Sequence, residues 1–152
     1  MIYLDHNATT PVAPRVFEAM VPCLLENWGN PSSPYRFGNQ ARTMVERARQ
    51  RIADCVVCSP AELVFCSSGT ESDNLALRGV ARALRGQGRH IVVSAIEHHA
   101  VLHTCHAMER EGYHVSYVPV TADGVVDLGA LATSLREGTT LVSVMHANNE
   151  TG

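Results

Sequence analysis

The 152-residue sequence contains no lysine: all 12 of its Lys/Arg positions are arginine. That excludes any chemistry in which this stretch of chain supplies a lysine amine, whether as a Schiff base, a general base or part of a Walker-type phosphate loop. Charged residues make up only 18% of the chain, the formal net charge is −3, and no arginine-rich run occurs. A nucleic-acid footprint is therefore not expected. Long apolar runs are absent too; the longest are short stretches such as Ile91-Val92-Val93, so no membrane span is expected. The opening Met1-Ile2-Tyr3-Leu4-Asp5-His6 has neither the basic nor the apolar part of a secretory signal. The cysteines Cys23, Cys55, Cys58, Cys66 and Cys105 are odd in number, and without a signal they predict reduced thiols and a cytoplasmic location.

What is present is globular. With 45% hydrophobic residues, 11 Gly and 7 Pro, the chain is neither disordered nor collagen-like. Its length suits one domain or part of a larger one. Residues 1–60 read as an irregular start followed by helices. The first helix is predicted from Arg15 to Asn27, with Pro22 removing one backbone donor inside it. Trp28 to Pro34 is a loop by composition. A long helix is predicted from Phe37 to Val56, with Ala41, Met44, Val45, Ala48, Ile52 and Ala53 on one face. Arg42, Glu46, Arg47, Arg49 and Arg51 lie off that stripe and read as a solvated face.

Residues 61–152 alternate between strand and helix. Strands are predicted at Leu63–Cys66, Ile91–Ser94, Val115–Val118 and Leu141–Met145. Helices are predicted at Thr70–Leu84, Ala100–Glu111 and Asp127–Leu135. Val- and Ile-rich strands alternating with helices imply a parallel α/β sheet of about four strands. The last strand is followed only by Asn148-Asn149-Glu150-Thr151-Gly152, so it is expected to lack cover on one face or edge.

Three polar segments carry possible chemistry. In Cys66-Ser67-Ser68-Gly69-Thr70-Glu71-Ser72-Asp73-Asn74 a strand gives way to a helix through a glycine-containing turn. Free amides at a helix start, with Ser and Thr hydroxyls, suit a phosphate. Thr70 and Asp73 also fit a capping box, and on local sequence alone ordinary capping with no ligand is the favoured reading. Glu97-His98-His99 follows the second strand, and Asn148-Asn149-Glu150 the fourth. Ligands of open α/β sheets bind beyond the carboxyl ends of the strands, so the three clusters are expected to converge on one crevice. There His98 could stack on a flat ring or shuttle a proton, or serve only to start a helix. His98, His99, His103 and His106, with Cys105 among them, raise a zinc alternative, but no third ligand is convincingly spaced. Cys55-Val56-Val57-Cys58 is a lone C-x-x-C late in a helix and reads best as core thiols.

The chain resembles the cysteine desulfurases, pyridoxal-phosphate enzymes of the class V aminotransferase group. The resemblance rests on Tyr3-Leu4-Asp5-His6-Asn7-Ala8-Thr9-Thr10-Pro11, Gly29-Asn30-Pro31-Ser32-Ser33, Ser68 to Asn74, Glu97-His98 and His146 to Gly152, in the family's order and spacing. It covers residues 2–152 and points to desulfurases serving nitrogenase and iron–sulfur cluster assembly. It implies a three-layer α/β fold with a parallel-type sheet, the large domain of a fold-type I pyridoxal-phosphate transferase, incomplete at its C-terminal side. Residues 61–152 would be the first part of that cofactor-binding domain.

The resemblance also implies roles. Gly69 and Thr70 would hold the phosphate of pyridoxal 5′-phosphate. His98 would stack on the ring and take part in proton transfer. Asn149 would hydrogen-bond near the ring hydroxyl, and Asn30, Thr9 and Thr10 would lie on the substrate side. The intact enzyme would convert L-cysteine to L-alanine, pass sulfur as a persulfide to a scaffold protein, and act as a homodimer. Pro34-Tyr35 stands where relatives usually carry a histidine. The Schiff-base lysine, the aspartate that pairs with the pyridine nitrogen and the sulfur-accepting cysteine come later in the family. The 152 residues alone are therefore expected to be inactive. A related enzyme such as a selenocysteine lyase, and a non-catalytic short product, are the alternatives.

Overall fold

A computed structural model describes residues 2–152, which fall into two compact units, one ending at Phe65 and one from Cys66 to Gly152. The first unit is built on helices α1 (Pro14–Leu25) and α2 (Arg36–Val56), followed by a 3-10 turn at Pro60–Glu62. Pro14 opens α1 at the position where a missing amide costs nothing, and the helix runs on through Pro22. Val57 ends α2 in the left-handed conformation at φ 57°, and Cys58 N–H closes back onto the Ala53 carbonyl at 3.0 Å.

The expected stripe on α2 is only partly buried. Ala41 and Ala53 are buried and Met44 and Val45 half-buried, while Ala48 and Ile52 are exposed. Arg49 departs from its expected solvated face. Its guanidinium donates to the Leu63 carbonyl at 2.7 Å, pairs with Glu46 at 3.2 Å and lies 4.6 Å from the centre of the Phe65 ring. A flat cation that both stacks and donates is suited to anchoring a returning chain. The C-x-x-C pair is not a pair of core thiols. Cys55 is exposed and Cys58 half-buried. Cys55 lies two residues past Ala53, about 200° around the helix, and so faces away from the side that Ala53 buries.

The second unit holds helices α3 (Gly69–Ala83), α4 (His99–Arg110) and α5 (Leu128–Ser134) with strands β1 (His90–Ser94), β2 (His114–Val118) and β3 (Thr139–Ser143). The sheet is wholly parallel, in the order β2-β1-β3. Every residue of central β1 is buried, which is why its sequence reads as an uninterrupted apolar run rather than an alternation. Ile91 and Val93 join Leu77 and Ala81 of α3, Val101, Cys105 and Met108 of α4, and Tyr113 in the core. The crossovers β1–α4–β2 and β2–α5–β3 run in opposite directions across the sheet. Right-handed connections therefore put α4 and α5 on opposite faces, giving three layers.

The sheet has three strands, not the four expected. Leu63 has extended dihedrals (φ −92°, ψ 131°), but 63–66 is not one of the sheet's strands. Apolar β-branched composition favours extension; a strand further requires a neighbour in register. The last strand ends two residues before its predicted limit, and Val142 and Val144 are exposed at that edge of the sheet.

The amino end of β1 contains a polar device of its own. His90 is buried, with Nδ1 2.8 Å from the Thr139 hydroxyl and Nε2 2.9 Å from that of Ser116. The ring thus ties both outer strands to the central one. Burial, helped by the charges of Arg136 and His114, pushes its pKa below the usual histidine value.

Candidate functional site

The start of α3 is assembled from Ser67 to Ser72. The cap lies two residues earlier than the expected Thr70–Asp73 box. Ser68 is the N-cap, and its hydroxyl accepts from the Glu71 amide at 3.2 Å. Glu71 reaches back to the Ser67 amide at 2.5 Å and the Ser67 hydroxyl at 2.8 Å. These bonds, the backbone one foremost, hold the Glu71 carboxyl below its ordinary pKa. The helix starts at Gly69 because two serines precede it, and either can fold its hydroxyl onto the first turn.

This cap leaves part of the first turn's bonding capacity unused. The amides of Glu71 and Ser72 are used within the cap, by Ser68 Oγ and the Ser68 carbonyl. Those of Gly69 and Thr70, and the Thr70 hydroxyl, have no hydrogen bond among the described residues. Gly69 is not in the left-handed region, and a Cβ placed on it meets nothing within 4 Å. Neither backbone strain nor crowding requires glycine there, and its lack of a side chain leaves the backbone open to close approach. The residues therefore fit an anion such as a phosphate ester.

His98 is the N-cap of α4, its Nδ1 accepting from the Ala100 amide at 3.1 Å. That bond makes Nδ1 the lone-pair nitrogen, so the neutral ring carries its proton on Nε2 and presents it outward. The ring is thereby oriented as a flat plate with one outward donor. Thr70 and His98 line one cleft of about 380 Å³, together with Asn74, Arg78, His99, Ala100, His103 and Thr104. Its floor is pinned by Thr104, whose hydroxyl lies 2.8 Å from Asn74 Oδ1 and 2.7 Å from the Ala100 carbonyl. Asn74 also donates to the Thr70 carbonyl at 2.9 Å within α3, so one side chain bonds both Thr70 and Thr104.

The third cluster reaches the same end of the sheet from β3. Asn148 donates to the Ile96 carbonyl at 2.9 Å, and its Oδ1 accepts from the amides of Glu150 and Thr151 at 2.8 and 3.0 Å. Asn149, next to it, is exposed and donates to Glu150 at 3.1 Å. Glu97 makes a second tie: its Oε1 accepts from the Ser94 hydroxyl at 2.7 Å and the Met145 amide at 2.6 Å. The β1 and β3 ends are neighbours where the chain reverses direction across the sheet, the position where ligands of open α/β sheets bind. The 67–70 cluster arrives there from the α3 start rather than from a strand of the sheet.

Of the residues singled out in the sequence, Thr70 and His98 thus share a cleft, Gly69 adjoins it in the chain, and Asn149 sits on the segment tied to the β1–α4 loop. Thr9, Thr10 and Asn30 belong to the unit ending at Phe65 and are exposed there. Asn30 folds into its own loop, its Oδ1 accepting from the Ser32 amide at 2.9 Å. That loop packs on α2 through Gly38, where a Cβ would lie 2.2 Å from the Ser33 carbonyl oxygen. Glu97, Asn148 and Asn74 were not singled out for these ties. Nothing local marks them, because each acts on a backbone or side-chain group about 30 or more residues away.

The zinc alternative finds no ligand set: among the described residues no three His, Cys, Asp or Glu could hold a metal ion. His99 and His103 are a turn apart, but their rings stack at 5.2 Å and 27°. Lone pairs lie in the ring planes, so near-parallel rings do not aim them at one ion. Cys105 is fully buried, and burial, with Glu109 and Glu97 nearby, pushes its thiol up to about 11. Among the described residues no helix is long and apolar enough to cross a membrane.

Residues 2–152 match the family model for class-V aminotransferases. Among curated proteins, the chain is similar to Cysteine desulfurase IscS of Dictyoglomus turgidum, 50% identical over 151 residues that make up 99% of this chain and 38% of that protein. Among solved structures it is similar to a NifS-like protein, with a TM-score of 0.96 and 43% identity over 99% of this chain and 42% of that one. It is also similar to SspA in complex with cysteine, with a TM-score of 0.93 and 35% identity over 99% and 43% of the two chains. The chain spans about 38% of the length of the curated relatives it matches. A capped helix start with open amides, a ring-presenting histidine at a β1/β3 switch point and a family match over residues 2–152 agree, and the chain belongs to the class-V aminotransferase family.

Proposed function

We propose that this chain is the phosphate-holding and ring-stacking part of a pyridoxal-phosphate-dependent cysteine desulfurase. The intact protein would convert L-cysteine to L-alanine and transfer the sulfur to a thiol as a persulfide, for iron–sulfur cluster assembly. The observation that carries the reading is the open α3 start meeting His98 at one cleft, in a chain whose relatives bear that enzyme name. Pyridoxal phosphate supplies an electron sink for bond cleavage at the substrate's carbon atoms. In this reading the Gly69 and Thr70 amides and the Thr70 hydroxyl bind the phosphate. His98 lies along the ring face with Nε2–H as donor, and Asn149 hydrogen-bonds near the ring hydroxyl and orients substrate. Thr9, Thr10 and Asn30 are assigned to the substrate side on the strength of their motifs. A homodimer, a sulfur-accepting scaffold protein and a cytoplasmic location complete the proposal.

The covalent anchor of the cofactor is not among these 152 residues, which contain no lysine. The decisive experiment is alanine release from L-cysteine by the full-length gene product loaded with pyridoxal phosphate. Release is expected from that product and not from the 152-residue chain. No release from the loaded product, with selenocysteine or another amino acid turned over instead, overturns the reading.

A further inference from the structure

Among the described residues Glu97 is the only buried acidic side chain, at 7% exposure. One of its oxygens, Oε1, accepts two hydrogen bonds from two different strands: the Ser94 hydroxyl at the end of β1 and the Met145 amide just past the end of β3. Both distances, 2.7 and 2.6 Å, lie in the short range of charge-assisted bonds. An apolar side chain of similar size would fill this volume without the desolvation cost of a carboxylate. It would not accept from both strand ends at once. Each neighbour of this tie matters to the site. His98 is the next residue in the chain. Asn149 lies four residues beyond Met145, and Asn148 between them bonds back to Ile96. The β1–α4 loop and the segment after β3 are thus joined at two points, one by Glu97 and one by Asn148.

We infer that Glu97 is a positioning residue that sets the placement of the His98 loop relative to the Asn149 segment, through the reach of its acceptor oxygen. The functional consequence rests on the cofactor-site reading above; the clamp itself does not. Two substitutions separate reach from charge. Glu97→Gln keeps the chain length and an Oε1 acceptor but removes the charge. Glu97→Asp keeps the charge and shortens the side chain by one methylene, so that one oxygen no longer meets both donors.

The test is amide hydrogen exchange and ¹H–¹⁵N spectra of the full 152-residue chain. In Glu97→Gln, the Met145 amide is expected to keep its protection within about threefold of wild type. In Glu97→Asp it exchanges about tenfold faster, the loss of one hydrogen bond, and the His98 and Asn149 signals shift, while Val92 and Val93 in β1 stay within threefold. The inference is overturned if Asp preserves protection and Gln loses it, since charge would then matter rather than reach. It is also overturned if neither substitution changes Met145, or if protection falls evenly across the sheet in both. A parallel titration with pyridoxine 5′-phosphate reads the Gly69 and Thr70 amides. Absence of shifts there in the wild type counts against the cofactor reading and leaves the exchange result on Glu97 standing.

Discussion

Replacing Gly69 by alanine separates the stability of the fold from the binding of a phosphate, because the two are expected to move in opposite directions. Gly69 is the first residue of α3 and has no positive φ, and an added Cβ meets no atom within 4 Å. Alanine there should stabilise the chain by about 0.4–1 kcal/mol, mainly by restricting the unfolded state. If Gly69 and Thr70 hold a phosphate as proposed, the added methyl group is expected to crowd it. Forcing a methyl against a close-packed partner costs about 1–3 kcal/mol. That is a loss of roughly 5- to 150-fold in affinity. The assay is urea denaturation alongside a titration with pyridoxine 5′-phosphate, which lacks the aldehyde and cannot condense with the terminal amine. Unchanged affinity in Gly69→Ala with the expected gain in stability would refute the phosphate cradle. A loss of stability would refute the view that glycine is there for a ligand.

Three further outcomes follow from the buried groups of the second unit. His90 has a folded-state pKa below its unfolded value of 6.5, so its contribution to stability is complete above that pH and is lost as pH falls below it; NMR titration should place its midpoint below 6.5, and a midpoint above 6.5 contradicts the burial of the ring. Cys105, with its thiol pushed up to about 11, should resist a thiol reagent at pH 7.5 until the chain unfolds, whereas exposed Cys23 and Cys55 react at once; equal rates for all would refute the packing of α4 on β1. Met108 is fully buried in the core, and Met108→Ala should cost about 2–5 kcal/mol by denaturant titration. A loss under about 1 kcal/mol would mean that the α3–α4–β1 core collapses around the gap.

Much of this was legible in the chain. Val- and Ile-containing segments alternating with helical spacing specify a parallel α/β unit, and the Ile91-Val92-Val93 run of β1 is continuous because that strand is buried throughout. The open start of α3 and the histidine at the head of α4 were also visible, since capping is decided by neighbours within one turn. Even so, local rules left a choice: Ser68 and Thr70 are both competent caps, and the helix is capped by Ser68. Leu63–Cys66 has strand composition but no place in the sheet, because a ladder is a property of two segments. Arg49 looks solvated by helical periodicity, yet it is held by Leu63 and Phe65, which the chain brings back only after the turn at Pro60–Glu62.

The sequence by itself determined which groups these 152 residues offer: helix-start amides, a flat ring, asparagines and no lysine amine. Only the tertiary structure decided what holds them in place. The parallel register of β1 against β3 brings the Met145 amide to Glu97 and the Ile96 carbonyl to Asn148, across separations of 48 and 52 residues. No spacing rule within a single element reaches that far, since the donor and acceptor meet through the sheet and not along the chain.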